Sequence, residues 1–329
     1  MSLKPIWHAI VVPPLVEKIQ KYDHEQQNDN CRKQFERGEQ YQLLRLLVHQ
    51  PDPLLSSGEL KQRKMEINYL NATKQFVRRL LSEFLGTLML VLTQAGLKIQ
   101  VSQQRITSES NALGNGLIIL FLIYSLGGRS GAHFNPVVTL CFSLRFVFPF
   151  VWLPFYILAQ FLGSICAAFF LRLLFQTESV LRYGTNSVDP SFVSILNGLQ
   201  WEIFLTFCLL LVVLQTAHRG EIIGSQAAIA VSAVIIFNVL IGSTTSSASM
   251  NPFRTLGPAL INSSSDGNRS LWIFIIGPLV GGVLALIVVG LLNGFRTKKR
   301  SEFKMAQGGD NDDKKLRINN FNDKSISYI

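Results

Sequence analysis

The chain has 329 residues, of which 48% are hydrophobic and 16% are charged, and its formal net charge is +10. Its mean hydropathy of +0.28 is high for a soluble globular domain. Most charged residues lie before residue 80 or after residue 294, so the middle of the chain is still more apolar. We therefore expect a membrane protein, and we expect no nucleic-acid partner because the basic residues flank apolar segments.

The two ends of the chain are polar. Residues 1–75 are rich in Gln, Asn and charged side chains, which favours a mostly disordered cytoplasmic tail over a small folded domain. Residues 296–329 have the same character and predict a second cytoplasmic tail. The last three residues, Ser327 to Ile329, fit the C-terminal pattern that PDZ-type grooves bind, so a PDZ-type partner is a further prediction.

Between the tails, six apolar segments are long enough to cross the hydrocarbon core, which takes about 20 helical residues. Two shorter apolar segments each begin with Asn-Pro and predict re-entrant half-helices. The sequence thus predicts an all-α membrane protein with six transmembrane helices and two re-entrant half-helices. The spans are expected at about 80–97, 112–128, 149–175, 192–216, 223–242 and 270–294, and the half-helices at about 134–145 and 250–261.

An internal repeat organises the membrane domain, which we assign to residues 76–295. Glu83 opens the first span and precedes Asn135, and Glu202 opens the fourth span and precedes Asn251 at nearly the same separation. Two units, about 76–176 and 192–295, therefore each contain three spans and one half-helix. Because three is an odd number, the second unit must be inverted relative to the first.

Basic residues mark the cytoplasmic side of the membrane. They stand immediately before the first span and after the last one, which predicts an even number of spans and two cytoplasmic termini. We expect a multi-pass integral membrane protein and place it in the plasma membrane. The basic residues concerned are Lys74, Arg78, Arg79, Arg296, Lys298, Lys299 and Arg300.

The pairs Asn135-Pro136 and Asn251-Pro252 have the chemistry of helix starts, since Asn is a good N-cap and Pro is favoured at the first helical position. If the half-helices enter from opposite faces, their positive N-terminal ends converge midway through the bilayer. The Asn amides then offer hydrogen-bond donors to a passing water molecule and interrupt a continuous chain of waters. This arrangement predicts conduction of neutral molecules without proton leak.

Three charged residues inside the apolar region need a reason, because a charge at membrane depth is costly unless it faces water or partners. Arg254 lies on the first turn of the second half-helix, where we expect it to line an aqueous pore and to repel cations. For Glu83 and Glu202, the duplicated position favours an acceptor for loop N–H groups over a proton relay.

The segments Gly131–Leu140 and Met250–Ala259 resemble the two signature loops of the major intrinsic protein (aquaporin) family. The resemblance covers about residues 76–295 and implies a channel domain, one pore per subunit and a homotetramer. We expect His133 to help Glu83 and Glu202 hold the loops. The family's usual third triplet residue is Ala, but this chain has Val137 and Phe253, whose larger side chains are expected to re-space the central contact.

The resemblance also assigns four positions to an outer selectivity filter. They fall on Asn115, Val239, Ala248 and Arg254, although the count to Val239 crosses a variable loop and may fall on Asn238 instead. Of the residues typical of strict water channels, this chain keeps the Arg and a small residue in the loop, Ala248, but lacks the bulky aromatic residue and the His, and Thr255 stands where glycerol specialists carry Asp. We therefore expect a wide filter that passes water and small uncharged solutes, such as glycerol, urea or hydrogen peroxide.

The sequence also bears on three other function classes. Val137 and Phe253 motivate a structural or adhesive membrane protein that keeps the fold but conducts little. A secondary transporter would need an ionisable pore residue besides Arg254, and the sequence suggests none. An enzyme is not expected, since no set of catalytic residues or metal ligands is visible, and no cofactor or metal is predicted.

Two remaining sets of residues carry weaker signals. Asn262 and Asn268 stand in sequons in the loop after the second half-helix, which the topology places outside the cell, so they are candidate glycosylation sites. The cysteines lack metal-type spacing, and three of them lie in apolar segments, which indicates small buried side chains without disulfides.

Overall fold

The structure is a computed structural model that describes residues 57–175, 177, 181–188, 193–262 and 270–295, with side chains described from Ala72 onward. The chain divides into two compact units, Met1–Asn71 and Ala72–Ile329. The described part of the second unit is helical, and six of its helices are long and apolar enough to cross a membrane. The helices are α1 Ser57–Ser102, α2 Ser108–Ser130, α3 Pro136–Leu144, α4 Leu153–Leu174, α5 Ile195–His218, α6 Ala227–Gly242, α7 Pro252–Asn262 and α8 Ile273–Asn293.

The first helix is much longer than predicted. It begins at Ser57, within the segment that the sequence assigns to a disordered tail, whereas its apolar part was expected to begin near residue 80. The residues from Glu59 to Glu66 are mostly strong helix formers without Pro. Hydropathy identifies only the apolar part of a helix that can lie in the hydrocarbon core, so it does not detect the polar turns that extend the same helix.

The other spans begin and end close to the predicted positions. Thr107 caps the start of α2 by accepting a hydrogen bond from the Ser110 N–H. Gly131 follows the last residue of α2, and its positive φ of 91° suits glycine. The two short helices α3 and α7 follow Asn135 and Asn251, as the Asn-Pro pairs predict.

The helices pack in a pattern that repeats between the two halves of the domain. Gly163 of α4 lies against α1, where an added Cβ atom would overlap the Phe84 carbonyl and come within 3.2 Å of the Thr87 Cβ. Gly281 of α8 lies against α5 in the same way, close to the Ile203 carbonyl. Small residues let helix backbones approach closely in membranes, so the duplicated glycines explain how each repeat closes.

We expect Gly281→Ala to lower stability, because its Cβ would push α8 away from the backbone of α5 at Ile203 and Phe207. Overpacking of this kind costs about 1–3 kcal/mol. The measurement is thermal unfolding of the detergent-purified protein. Gly128→Ala on α2 is the matched control, since nothing lies within 4 Å of the added Cβ. Equal unfolding temperatures for the two variants would contradict the close approach.

Candidate functional site

The N-terminal ends of α3 and α7 meet and are joined by reciprocal hydrogen bonds. The Asn135 Nδ2 donates to the Met250 carbonyl at 2.9 Å, and the Asn251 Nδ2 donates to the Phe134 carbonyl at 2.9 Å. The Oδ1 atom of Asn135 also accepts from the Val137 N–H, which caps its own helix. Each NH₂ group has two hydrogens, so each Asn amide keeps a second donor.

The same capping geometry occurs at the second half-helix, where the Asn251 Oδ1 accepts from the Phe253 N–H at 3.0 Å. Pro136 and Pro252 occupy the first position of α3 and α7, where a missing N–H is harmless. Both helix starts therefore follow from local sequence chemistry. Their meeting follows from the tertiary fold.

The loops before the two half-helices have unusual backbone conformations. Ala132 and Phe134 in the first loop, and Ala248 and Met250 in the second, have φ values between 47° and 54°. Non-glycine residues rarely adopt this region, and each instance costs on the order of 1–3 kcal/mol. Each loop therefore needs interactions that hold its backbone in place.

Glu83 supplies these interactions to the first loop. Its carboxylate is fully buried and accepts hydrogen bonds from the His133 N–H at 3.1 Å and the Phe134 N–H at 2.8 Å. The Gln160 Nε2 of α4 donates to the same carboxylate at 2.7 Å. Gln160 appears in the sequence only as part of a repeated Gly-rich segment, and nothing in that pattern marks it as a carboxylate partner.

Glu202 holds the second loop in the equivalent way. Its carboxylate accepts from the Ser249 N–H at 2.9 Å, the Met250 N–H at 2.8 Å and the Ser246 hydroxyl at 2.7 Å. The bonded N–H groups lie one and two residues before each signature Asn in both loops. Both carboxylates therefore accept hydrogen bonds from loop N–H groups, as the duplicated positions of Glu83 and Glu202 predict.

His133 lies in the first loop and makes a side-chain contact that the second loop repeats. Its Nδ1 is 3.2 Å from the Thr139 Oγ1, and the Ser249 Oγ is 2.7 Å from the Thr255 Oγ1. The hydroxyl of Thr255, at the position where the family resemblance expects Asp in glycerol specialists, thus connects α7 to the second loop. The His133 ring also packs against the ring of Phe142, with centroids 4.9 Å apart.

Two cavities lie beside the half-helix tips and the loops that precede them. The first, which we call the apolar cavity, has a volume of about 50 Å³ and is lined mostly by aliphatic side chains together with His133, Asn135 and Asn251. The second, the polar cavity, has a volume of about 180 Å³ and no aromatic side chain among its described lining residues. One side chain, that of Gln94, lines both cavities.

The polar cavity brings together the four positions assigned to the outer filter. Asn115, Val239, Ala248 and Arg254 all line it. Asn238, the alternative to Val239, is fully buried and donates to the Leu205 carbonyl at 2.8 Å, and it lines neither cavity. The geometry therefore favours the ungapped count.

Arg254 and Asn115 are both positioned by bonds to backbone carbonyls. The Arg254 Nη1 donates to the Gly184 carbonyl at 2.8 Å, and the Asn115 Nδ2 donates to the Asn111 carbonyl at 2.8 Å. Arg254 carries a fixed positive charge into the polar cavity, one helical turn beyond the Asn251 amide. A cation in this cavity meets that charge before it reaches the half-helix tips.

Val137 and Phe253 pack between helices, and the two Asn residues still meet. The reciprocal Asn bonds are 2.9 Å long on both sides, and neither the Val137 nor the Phe253 side chain is among the described residues that line the apolar or the polar cavity. The Phe253 ring packs against Phe161 of α4, with centroids 5.6 Å apart, and Val137 lies close to Gly282 of α8. The larger residues thus fill contacts between helices on the sides of α3 and α7 that face α8 and α4.

Three polar residues of α1 that were not predicted as site residues line the polar cavity, namely Gln94, Lys98 and Ser102. The expectation that the pore holds no ionisable residue besides Arg254 is wrong, because Lys98 lines the same cavity. The sequence held a signal: Lys98 lies one residue past the predicted end of the first span and one helical turn after Gln94, which marks a polar stripe at a spacing of four residues.

The remaining predicted positions lie largely outside the described residues. Asn268, the side chain of Asn262, the C-terminal Ser327–Ile329 and Cys31 are among these. Within the described ranges, Cys141 is buried, Cys166 and Cys208 are half-buried, and all three are free thiols. No group of three His, Cys, Asp or Glu side chains in that part of the chain is placed to hold a metal ion.

This chain is similar to known proteins in sequence and in fold. The model of the major intrinsic protein family matches residues 71–289. Aquaporin NIP1-1 of Arabidopsis thaliana is 36% identical over 242 residues, which cover 72% of this chain and 77% of that protein. Nodulin-26 of Glycine max is 34% identical over 66% of this chain and 78% of its own length.

The fold comparison agrees with the architecture described above. The X-ray structure of the aquaglyceroporin from Plasmodium falciparum matches with a TM-score of 0.59 and 24% identity, and the match covers 65% of this chain and 95% of that one. The predicted fold of six spans and two half-helices is thereby confirmed.

Proposed function

Since this chain belongs to the major intrinsic protein family, a family of channels and not of enzymes, we propose that it is a passive channel for water and small uncharged solutes. The observation that carries the proposal is the meeting of the Asn135 and Asn251 amides in the lining of the apolar cavity, which shares Gln94 with the polar cavity. A pathway along these cavities passes both amide donors.

The half-helix tips explain how such a channel excludes protons and cations. Each helix N-terminus carries roughly half a positive charge, and two of them converge at the Asn pair. A water molecule there turns its oxygen toward the second N–H of each amide and cannot also accept a proton along a chain of waters. Arg254 adds a full positive charge in the polar cavity.

The size of the polar cavity supports the passage of solutes larger than water. Its volume of about 180 Å³ is several times the roughly 30 Å³ that one water molecule occupies in the liquid. Small side chains, Val239 and Ala248, line it beside Asn115 and Arg254. We assign these four residues to the selectivity filter, and we propose glycerol, urea and hydrogen peroxide as solutes in addition to water.

Stopped-flow light scattering on proteoliposomes tests the proposal, with water, glycerol and urea measured in parallel against protein-free liposomes. Val239→Phe should reduce glycerol flux at least about tenfold and water flux less, because the added ring fills space that only the larger solute needs. The matched control is Ile229→Phe on the same helix, whose side chain is exposed. No solute flux above that of empty liposomes would reject the channel.

The assembly and placement of the channel also belong to this proposal. We propose a homotetramer in the plasma membrane with both termini in the cytoplasm, supported by the basic residues that flank the spans and by the family. The loop that contains Asn262 and Asn268 then faces outward, where glycosylation occurs. A PDZ-type partner at the C-terminus and direct contact with the lipid bilayer complete the proposed surroundings.

A further inference from the structure

Three polar side chains of α1 form a stripe along the polar cavity at intervals of four residues: Gln94, Lys98 and Ser102. The Lys98 ammonium donates to the Thr185 carbonyl at 2.9 Å and to the Ser247 hydroxyl at 3.0 Å. Both acceptors are neutral, and an ammonium has three N–H donors. Lys98 therefore keeps its positive charge uncompensated by these contacts and has one donor left.

Arg254 lines the same cavity, and its charge also faces a neutral partner. Its guanidinium donates to the neutral Gly184 carbonyl at 2.8 Å. No Asp or Glu side chain in the described part of the chain lines the polar cavity. The buried carboxylate of Glu202 is already shared among Ser246, Ser249 and Met250. Two cations thus face one cavity without an acidic partner in its lining.

Gln94 provides a second, independent indication of a ligand. Its side chain is 8% exposed and lines both cavities, yet no hydrogen bond joins its amide to another described residue. Buried polar groups are normally satisfied by protein, water or ligand. The Gln94 amide lies one helical turn from Lys98 and can donate an N–H to a species held by the two cations.

We propose that a small monovalent anion, such as chloride or nitrate, binds in the polar cavity between Lys98 and Arg254 and obstructs the passage of neutral solutes. This inference rests on the proposed channel function, which it supplements with a mode of regulation. The cavity, at about 180 Å³, accommodates the ion with part of its hydration shell. The cavity's hydroxyl and amide groups replace the waters that the ion gives up.

The apolar cavity explains why such an anion stops instead of passing through. It has only about 50 Å³ and is lined mostly by aliphatic side chains, for example Leu90, Ile119, Val213 and Ile235. An anion entering this narrower cavity must exchange most of its hydration shell for a mostly aliphatic lining, in which the Asn135 and Asn251 amides supply fewer donors than the waters that it gives up. The anion is thus attracted to the polar cavity and held there as a plug.

The test uses the full-length protein in proteoliposomes and measures water flux while gluconate, a larger anion, is replaced by chloride at constant osmolality and ionic strength. Chloride should lower the flux in a saturable manner. At a chloride concentration about three times the dissociation constant, three quarters of the pores are occupied and flux falls about fourfold. Nitrate should act similarly. Equal flux in gluconate and chloride throughout the titration would overturn the proposal.

Variants of Lys98 separate an anion site from a structural role. Lys98→Met removes the charge, and the chloride-to-gluconate flux ratio should return to about one, whereas Lys98→Arg should keep the chloride effect. Lys74→Met is the matched control, since it makes the same change about 36 Å away along α1, at an exposed position. A chloride effect that survives Lys98→Met, or that Lys74→Met also abolishes, contradicts the assigned site.

A second measurement keeps this inference separate from the channel function. If the wild-type protein conducts no water, the proposed function fails, but chloride binding should still raise the unfolding temperature of the detergent-purified protein relative to gluconate. That rise should be absent in Lys98→Met. Water conduction together with no chloride effect on flux or unfolding temperature overturns only the anion site.

Discussion

Replacing Arg254 with valine should increase the leak of protons and alkali cations at least about tenfold, while the flux of water persists. Arg254 places a full positive charge in the polar cavity, next to the half-helix tips. Two like charges at 4 Å repel by about 4 kcal/mol at an effective dielectric constant of 20. Losing one third of that barrier corresponds to about a tenfold faster leak. The measurement is the decay of an imposed pH or potassium gradient in proteoliposomes.

Arg254→Lys is the matched control for this experiment, because it keeps the charge but loses the planar guanidinium that reaches the Gly184 carbonyl. Its ion leak should stay close to that of the wild-type protein, even if its solute preference changes. A folded Arg254→Val protein that excludes ions as well as the wild type would show that the half-helix tips and Lys98 form the barrier without Arg254.

The second large effect is expected at Glu202, where substitution by alanine should prevent the protein from accumulating in a folded form. The change leaves the buried N–H groups of Ser249 and Met250 without an acceptor. Each unpaired buried group costs about 1–3 kcal/mol, so the two together cost about 2–6 kcal/mol. Typical folding stabilities are only about 5–15 kcal/mol. Yield and size-exclusion profile in detergent measure the outcome.

Glu202→Gln should have a smaller effect, since the amide oxygen can keep the bonds to Ser246 and Ser249 while its NH₂ group faces the Met250 N–H. We expect a loss of about 1–3 kcal/mol in the free energy of unfolding. The control is Glu109→Gln at an exposed position in the first turn of α2, which should change stability by less than about 1 kcal/mol. If Glu202→Ala folds as well as the control, the carboxylate does not hold the loop.

The duplicated loop contacts explain why the same substitutions should matter in both halves of the domain. Glu83 bonds the loop before Asn135 as Glu202 bonds the loop before Asn251. In both loops, residues with positive φ lie between the carboxylate and the half-helix. The strained backbone and its buried acceptor therefore act together, since neither loop can hold the Asn amide in position without the carboxylate.

The sequence by itself determined the spans, the two half-helices that begin at the signature Asn-Pro pairs, and the role of Glu83 and Glu202 as acceptors for loop N–H groups. These features were predictable because each has a local or repeated signal. Apolar length must match the thickness of the bilayer, Asn-Pro has the chemistry of a helix start, and a buried carboxylate that recurs at the same place in two repeats needs the same partners.

Only the tertiary structure decided which side chains face the cavities. The rotation of α1 about its axis turns Gln94 and Lys98 toward the polar cavity, and the packing of α7 against α4 turns Phe253 away from it. It also places Val239, and not Asn238, in the lining of the polar cavity. A helix that is apolar on most faces gives little information about its own rotation, because the contacts of neighbouring helices fix that angle.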